Sequence, residues 1–241
     1  MTSRVVAILG AFDAAHPLLT LTEIAERSGM ALSTVHRLVA ELESWRAVRR
    51  GDDGRYRVGR LIWELGRIAP DPLQEIARPW LQDLFAGTGE DVHLAVRDGT
   101  EVRYVDSVYA RDVPIVPRGG RLPMHPTAAG KALLAHEPAW FVTSYLSRPL
   151  ERPTPHTITE PGRLARDLAQ VRLRGYATAH EEMTLGSCSA AAPVLVDGRP
   201  VAAVGVVLPS RRVRELRRLA GPLLAAAHGV AAAYRAAVAP P

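Results

Sequence analysis

Residues 20–58 constrain the fold more than any other part of the chain, because they predict two short helices joined by a tight turn. Thr20 and Glu23 have the spacing of a capping box, in which a hydroxyl and a carboxylate each bond a backbone N–H at the start of a helix. Gly29 supplies the positive φ that a tight turn between helices needs. We therefore expect a first helix that begins after Thr20 and ends at Gly29, with Ile24 and Ala25 facing inward.

A second helix is predicted from residue 32 to residue 44. Its apolar residues fall at i, i+3, i+4 and i+7 and form one core stripe; they are Val35, Leu38, Val39 and Leu42. The opposite face carries short hydrogen-bonding groups and one arginine, which suit phosphates and base edges. These residues are Ser33, Thr34, His36, Arg37 and Glu41. The two helices together predict a helix-turn-helix whose second helix recognises DNA.

Two alternating stretches, 47–50 and 55–58, flank Gly51-Asp52-Asp53-Gly54 and predict a β-hairpin. Six arginines and two aspartates between residues 46 and 60 give this segment a local charge of +4, which is typical of a surface that binds phosphates. The combination predicts a winged helix-turn-helix; the alternative is an ordinary helical hairpin with a charged β-ribbon. The DNA contacts that we expect are Thr22, Ser33, Thr34, His36, Arg37, Arg49, Arg50, Arg55 and Arg57.

The length of 241 residues suits two domains. We expect the winged helix-turn-helix at 1–59, a linker helix at 60–72 and a larger C-terminal domain at 73–241. No apolar run approaches the ~18 residues of a membrane helix, and the N-terminus lacks the apolar core of a signal peptide, so we expect a cytoplasmic protein without a membrane partner. The only cysteine, Cys188, excludes an internal disulfide, and we expect neither a metal site nor a cofactor.

The C-terminal region predicts an α+β domain. The linker helix is expected over Arg60–Ile68, with Leu61, Ile62 and Leu65 facing inward. Further helices are predicted at 73–85, 127–135, 161–174 and 213–237, the last of them broken at Pro222. Strand–turn–strand segments lie at 92–108 and 194–208. The strands and helices do not alternate as βαβ units, which argues against a Rossmann-like sheet.

Sequence motifs of catalysis are missing from this region. Gly130-Lys131 lacks the Ser/Thr and the upstream glycine of a phosphate-binding loop. The run at 186–190 has cysteine where a nucleophile elbow has serine, and His180-Glu181-Glu182 has no second histidine of a zinc protease. A Cys188–His hydrolase stays as an alternative, although a lone cysteine in an Ala/Ser run is more typical of a small buried residue. We therefore expect no enzymatic activity.

Three stretches of the first sixty residues resemble the DNA-binding domain of the IclR family of bacterial regulators. They are LTEIAERSG at 21–29, STVHRL at 33–38 and GRYRVG at 54–59. RLPMHPTAAGKALLA at 121–135 is similar to the effector-domain signature of that family, and PHTIT at 155–159, RGY at 174–176, the pair Glu181-Glu182 and Gly186 follow in the family's order. The resemblance implies a GAF/PAS-like α+β effector domain, a palindromic operator in double-stranded DNA as partner, and a homodimer or homotetramer.

The resemblance also implies a small-molecule effector between the 127–135 helix and the sheet. Carried over position by position, the pocket residues are Leu122, Ala128, Ala129, Ala179, Ser187, Cys188, Ser189, Gly205 and Val207. Some relatives that bind small organic acids have an aspartate at the position of Ala179, a cysteine at Ser189, and serines at Gly205 and Val207. We therefore expect an effector more apolar than a keto acid, such as a small aromatic or branched-chain metabolite. The alternative is a second domain that only oligomerises.

Overall fold

A computed structural model of the chain describes residues 2–13, 16–68, 72–109 and 119–238. The chain divides into two compact units, Met1–Pro70 and Asp71–Pro241. The first unit has one buried core, and the second has two, on opposite faces of a sheet.

The first unit is mainly helical and carries one hairpin. Its elements are α1 (Thr2–Leu9), α2 (Leu21–Ser28), α3 (Leu32–Ser44), β1 (Val48–Arg50), β2 (Tyr56–Val58) and α4 (Arg60–Ile68). The predicted capping box is present: the backbone N–H of Thr20 donates to Glu23 Oε2 over 2.7 Å, and that of Glu23 donates to Thr20 Oγ1 over 3.3 Å. Gly29 adopts a φ of +68° and ends α2, so the tight turn to α3 forms where the sequence predicts it.

The predicted core stripe of α3 is buried. Its four residues share a cluster with Ile24 of α2 and with Val48 and Tyr56 of the hairpin. Leu19 forms an isolated bridge to Tyr56, which ties the hairpin to the segment that precedes α2. The hairpin therefore packs beside the helix-turn-helix as a wing, and the predicted winged helix-turn-helix is confirmed.

The first turn of α4 packs on this core, but the rest of the helix does not. Leu61 and Ile62 contact the buried cluster, and the backbone N–H of Leu61 bonds the carbonyl of Arg46. Leu65 lies one turn beyond that contact and is 49% exposed, so the expectation that it faces inward is wrong. Trp63 is exposed as well, which gives α4 an apolar surface.

The second unit is built around a six-stranded sheet. Its elements are α5 (Pro72–Thr88), β3 (Asp91–Asp98), β4 (Glu101–Val108), β5 (Arg121–Pro123), α6 (Ala128–Leu134), α7 (Ala139–Leu146), α8 (Pro161–Arg174), β6 (Ala177–His180), β7 (Ser187–Val196), β8 (Arg199–Pro209), a 3-10 helix (Ser210–Glu215) and α9 (Leu216–Val238). The strand order is β5-β4-β3-β8-β7-β6, and neighbouring strands are antiparallel. Helices α5 and α9 cover one face, while α6, α7 and α8 cover the other. The predicted α+β class is confirmed. None of the helices described is long and apolar enough to span a membrane.

Strand β7 begins at Ser187 rather than at residue 194, and it runs through the Ser/Ala stretch. Both of its faces are covered: Ala190 and Ala192 belong to the core under α5 and α9, and Ala191 belongs to the core under α6. The strand is therefore held by burial on both faces and by its pairing with β6 and β8, although this stretch has no β-branched residues.

The prediction that Pro222 breaks the last helix is wrong, because Pro222 lies within α9. The carbonyl of Arg218 loses its helical partner, but both residues are exposed, so water can bond that carbonyl. The segment before α9 forms a separate 3-10 helix. The sequence does not predict β5, β6 and α7, which are only three, four and eight residues long.

Candidate functional site

The exposed face of α3 presents the polar side chains predicted to contact DNA. Ser33, His36 and Arg37 are exposed and Thr34 is half-buried, while Thr22 is exposed in the first turn of α2. Within the described part of the chain, no hydrogen bond holds the side chains of Ser33, His36 or Arg37. This face can therefore meet a DNA groove without first breaking internal contacts.

The four wing arginines differ in how the hairpin holds them. Arg49 and Arg57 are cross-strand partners, and Arg49 and Arg55 are exposed. Arg50 donates from Nε to the carbonyl of Gly54 over 3.3 Å, and its guanidinium lies 5.6 Å from the centre of the Tyr56 ring. Arg57 is half-buried. Arg49 and Arg55 are thus the wing cations most open to a phosphate backbone.

A cavity of about 180 Å³ lies in the second unit between the sheet and the start of α6. Most of the residues predicted for the effector pocket line it. These residues are Leu122, Ala128, Ala129, Ala179, Ser187, Ser189 and Val207. The fold thus brings together, at one place, the predicted residues from β5, α6, β6, β7 and β8.

Cys188 and Gly205 do not line the cavity. Side chains alternate along β7, so Ser187 and Ser189 face the cavity while Cys188 points into the core on the other face of the sheet. Burial raises the pKa of Cys188 to about 11, and its Sγ donates to the carbonyl of Pro209 over 3.6 Å, which leaves no activated nucleophile. Gly205 lies on the cavity side but is covered by the ring of His93.

Several cavity residues are not predicted from the sequence. His93 and Tyr104 contribute their rings from β3 and β4. The remaining ones are Gly120, Arg121, Pro126, Thr127, Glu181, Glu182, Met183 and Thr184. In the predicted strand at 92–96, side-chain alternation places His93 on the same face as Ala95. That alternation alone could have indicated which face of the sheet His93 occupies.

His93 is a neutral group at the base of the cavity. Burial lowers its pKa to about 4, because a charged imidazole would lose its hydration. Its ring packs edge-on against Tyr104, with the ring centres 5.0 Å apart. Burial raises the pKa of Tyr104 as well. Neither ring nitrogen of His93 makes a hydrogen bond to another residue in the described ranges.

A buried ion cluster holds Glu182 in place in the lining of the cavity. Lys131 is 1% exposed, and its Nζ lies 2.6 Å from Glu182 Oε1 and 2.8 Å from Asp167 Oδ2. Burial raises the pKa of Glu182, while the ammonium of Lys131 opposes that rise. The hydroxyl of Thr157 donates to the carbonyl of Glu182 over 2.7 Å. Among the residues described, no group of three or more His, Cys, Asp or Glu is placed to hold a metal ion.

The first turn of α6 offers backbone donors to the cavity. Thr127 caps this helix by accepting from the N–H of Gly130 over 3.1 Å. The N–H groups of Ala128 and Ala129 precede any intrahelical acceptor, and both residues line the cavity. Ser189 adds a hydroxyl that bonds no other described residue, whereas the Ser187 hydroxyl donates to the carbonyl of Thr184 over 2.9 Å.

Two family models together match most of the chain. The IclR helix-turn-helix domain matches residues 2–52, and the bacterial transcriptional regulator IclR C-terminal domain matches residues 68–232. The HTH-type transcriptional regulator BhcR of Paracoccus denitrificans is 37% identical over 83% of this chain and 74% of its own length. The transcriptional repressor IclR of Escherichia coli is 35% identical over 82% of this chain and 75% of its own. These relatives are transcriptional regulators and not enzymes.

Solved structures give the same result. An IclR homolog from Microbacterium hydrocarbonoxydans, complexed with 4-hydroxybenzoate, has a TM-score of 0.66 at 30% identity and covers 98% of this chain and 99% of its own. An IclR-family regulator from a Rhodococcus species has a TM-score of 0.76 at 28% identity, with 96% and 92% covered. With the winged helix-turn-helix, the α+β unit and both family models in agreement, the chain belongs to the IclR family of bacterial transcriptional regulators.

Proposed function

We propose that this regulator binds a palindromic operator in double-stranded DNA and that a small molecule in the α6 cavity changes its operator affinity. The observation that carries the proposal is the cavity itself, which is lined by residues from seven elements and keeps unused backbone and side-chain donors. An effector that prefers one conformation of the regulator shifts operator binding by its differential affinity, typically ~1–3 kcal/mol. The location that we propose is the bacterial cytoplasm, where the DNA lies.

The DNA-binding arrangement follows from the first unit. We place the exposed face of α3 in the major groove and the wing on flanking phosphates or in the minor groove. Arg37 is the one side chain on that face that can bond a guanine through two N–H groups, and it has no competing partner in the described ranges. The domain boundaries that go with this proposal are 1–59, 60–72 and 73–241.

Replacing Arg37 with alanine is expected to weaken binding to the operator by roughly 1–3 kcal/mol, with most of the loss at one base pair. The operator is first identified by mapping the bound sites across the genome, and the affinity is then measured by gel shift on that operator and on single-base variants. Arg214→Ala is the control, because it removes the same charge from an exposed position in the second unit. Unchanged affinity and base preference in Arg37→Ala would exclude α3 as the recognition helix.

We propose a small aromatic or branched-chain acid as the effector class. An apolar cavity of ~150 Å³ accepts benzene, so about 180 Å³ holds one ring with small substituents. Ala179 and Val207 offer no side-chain hydrogen bonds, whereas apolar surface gains about 25 cal/mol per Å² on burial there. One carboxylate is accommodated by the N–H groups of Ala128 and Ala129 with the Ser189 hydroxyl. The 4-hydroxybenzoate in the Microbacterium homolog belongs to this class.

A thermal-shift screen of metabolites tests the effector class directly. Aromatic and branched-chain acids are expected to raise the melting temperature of the second unit, and the same compounds are expected to change operator affinity in a gel shift. Hits confined to glyoxylate-like or pyruvate-like acids contradict the proposed class. Compounds that bind without any change in operator affinity favour the alternative, in which the second unit only oligomerises.

We further propose that the chain assembles as a homodimer or homotetramer. A palindromic operator needs a two-fold arrangement of recognition helices. The apolar surface of α4, with Trp63 and Leu65, is suited to pairing the DNA-binding units. Sedimentation at micromolar concentration is expected to give a multiple of 26.1 kDa. A monomer that still binds a palindrome tightly is incompatible with this assembly.

A further inference from the structure

His93 and Gly205 form one structural pair at the base of the cavity. The two residues face each other directly across β3 and β8. A Cβ atom placed on Gly205 would lie 2.3 Å from Nε2 and 2.7 Å from Cε1 of His93, closer than real Cβ contacts. The imidazole therefore packs against Gly205 and occupies the space that a side chain at this position would fill.

The ring nitrogens of this imidazole bond no other described residue and are open to the cavity. His93 is 5% exposed and lines the cavity, and within the described residues its ring contacts Tyr104 but bonds no donor or acceptor. A ligand that covers these nitrogens without bonding them leaves a polar group unpaired, which costs free energy that a ligand able to bond them does not lose. Tyr104 lines the cavity beside it, so a ligand that reaches this base meets the imidazole next to an aromatic ring.

We propose that His93 selects the effector by hydrogen-bonding a hydroxyl group that the ligand carries in addition to its carboxylate, an inference that rests on the proposed function of the cavity. A neutral imidazole has one N–H donor and one acceptor nitrogen, which suits a hydroxyl, itself both donor and acceptor. A carboxylate needs several donors, and a neutral imidazole offers one.

The chemical class that fits is a hydroxylated aromatic acid of one ring. The cavity volume limits the ligand to one ring with small substituents. The Tyr104 ring beside His93 offers an aromatic edge for a second ring. The hydroxyl then distinguishes such a ligand from the unsubstituted acid, because only the hydroxylated ligand leaves no unpaired group at His93.

The test compares benzoate with 2-, 3- and 4-hydroxybenzoate by calorimetric titration of the full-length protein in the absence of DNA. At least one hydroxybenzoate is expected to bind the wild type about tenfold more tightly than benzoate. His93→Phe fills the same space without ring nitrogens. This variant is therefore expected to bind hydroxybenzoate and benzoate with about equal affinity. His93→Gln keeps a donor and an acceptor and is expected to retain part of the preference.

Gly205→Ala provides a second variant in which the imidazole is present but displaced. It is expected to lose the preference for the hydroxylated acid, as His93→Phe does. If His93→Phe does not fold, Gly205→Ala still tests whether that preference depends on the imidazole of His93. An equal preference for the hydroxylated acid in the wild type, His93→Phe and Gly205→Ala overturns the inference. Binding of benzoate or of branched-chain acids alone, or of no acid in the set, overturns it as well. The proposed function is judged separately, by whether any acid changes operator affinity in the gel shift.

Discussion

Replacing Lys131 with methionine is expected to lower the free energy of unfolding of the second unit by about 3–5 kcal/mol, because it leaves buried carboxylates without their cation. Lys131 Nζ lies within 2.8 Å of oxygens of both Glu182 and Asp167. The Glu182 side chain is only 9% exposed, so water cannot replace the ammonium there. Asp167 is 23% exposed and keeps part of its hydration. We therefore expect most of the loss in free energy of unfolding to come from Glu182.

The loss is expected to depend on pH. In Lys131→Met the pKa of Glu182 rises further, since burial raises it already and the opposing cation is gone. A carboxyl whose folded-state pKa lies above its unfolded value stabilises the fold at low pH, and that stabilisation is lost as the pH rises through the folded pKa. The destabilisation of Lys131→Met is therefore expected to be smaller at pH 5 than at pH 8.

Urea unfolding followed by circular dichroism, at one fixed protein concentration, measures the effect of Lys131→Met. The matched control is the neutral variant Lys131→Met with Glu182→Gln and Asp167→Asn, which removes the buried charges together and is expected to regain much of the stability. Lys131→Arg is also expected to destabilise the unit, because the larger planar guanidinium has no room at a site that is 1% exposed. A loss below about 1 kcal/mol in Lys131→Met, equal at both pH values, would show that the cluster contributes little.

The sequence predicts the first unit well because its signals are local. The capping box of Thr20, the positive φ of Gly29 and the apolar period of α3 each depend on residues within two turns of one another. The wing needs only an Asp/Gly turn between two alternating stretches. Leu65 is the exception: its burial depends on where the α4 helix meets the core, and helical period alone does not determine that.

The second unit is harder to predict because its sheet order joins distant segments. Residues of β3 and β8 are more than a hundred positions apart, and nothing local specifies that His93 faces Gly205. The Ser/Ala run of β7 lacks β-propensity, and its place in the sheet depends on pairing with β6 and β8, which are separate segments of the chain. Most of the pocket residues that the family resemblance implies do line the cavity, but a resemblance gives no side-chain direction along β7, and the prediction for Cys188 is wrong for that reason.

Replacing Arg49 and Arg55 with alanine together is expected to weaken binding to every DNA sequence, by about a hundredfold or more at 50 mM salt. Both side chains are exposed on the wing, whereas Arg50 bonds Gly54 and stacks on Tyr56. Each phosphate contact contributes about 0.9 to the slope of log K against log salt concentration. The double variant is therefore expected to flatten that slope by about 2 per protomer, or about 4 for a dimer on a palindrome.

The control for this prediction is Arg211→Ala with Arg217→Ala, which removes the same charge from exposed positions at the start of the last helical region of the second unit. It is expected to leave affinity and salt slope close to those of the wild type, because the DNA contacts that we propose all lie in the first unit and a charge that contacts no phosphate is screened by salt. Gel-shift titrations on the operator and on an unrelated duplex, at several salt concentrations, separate the two variants. A changed base preference with an unchanged slope would mean that Arg49 and Arg55 contact bases, and wild-type behaviour on both duplexes would mean that the wing does not touch DNA.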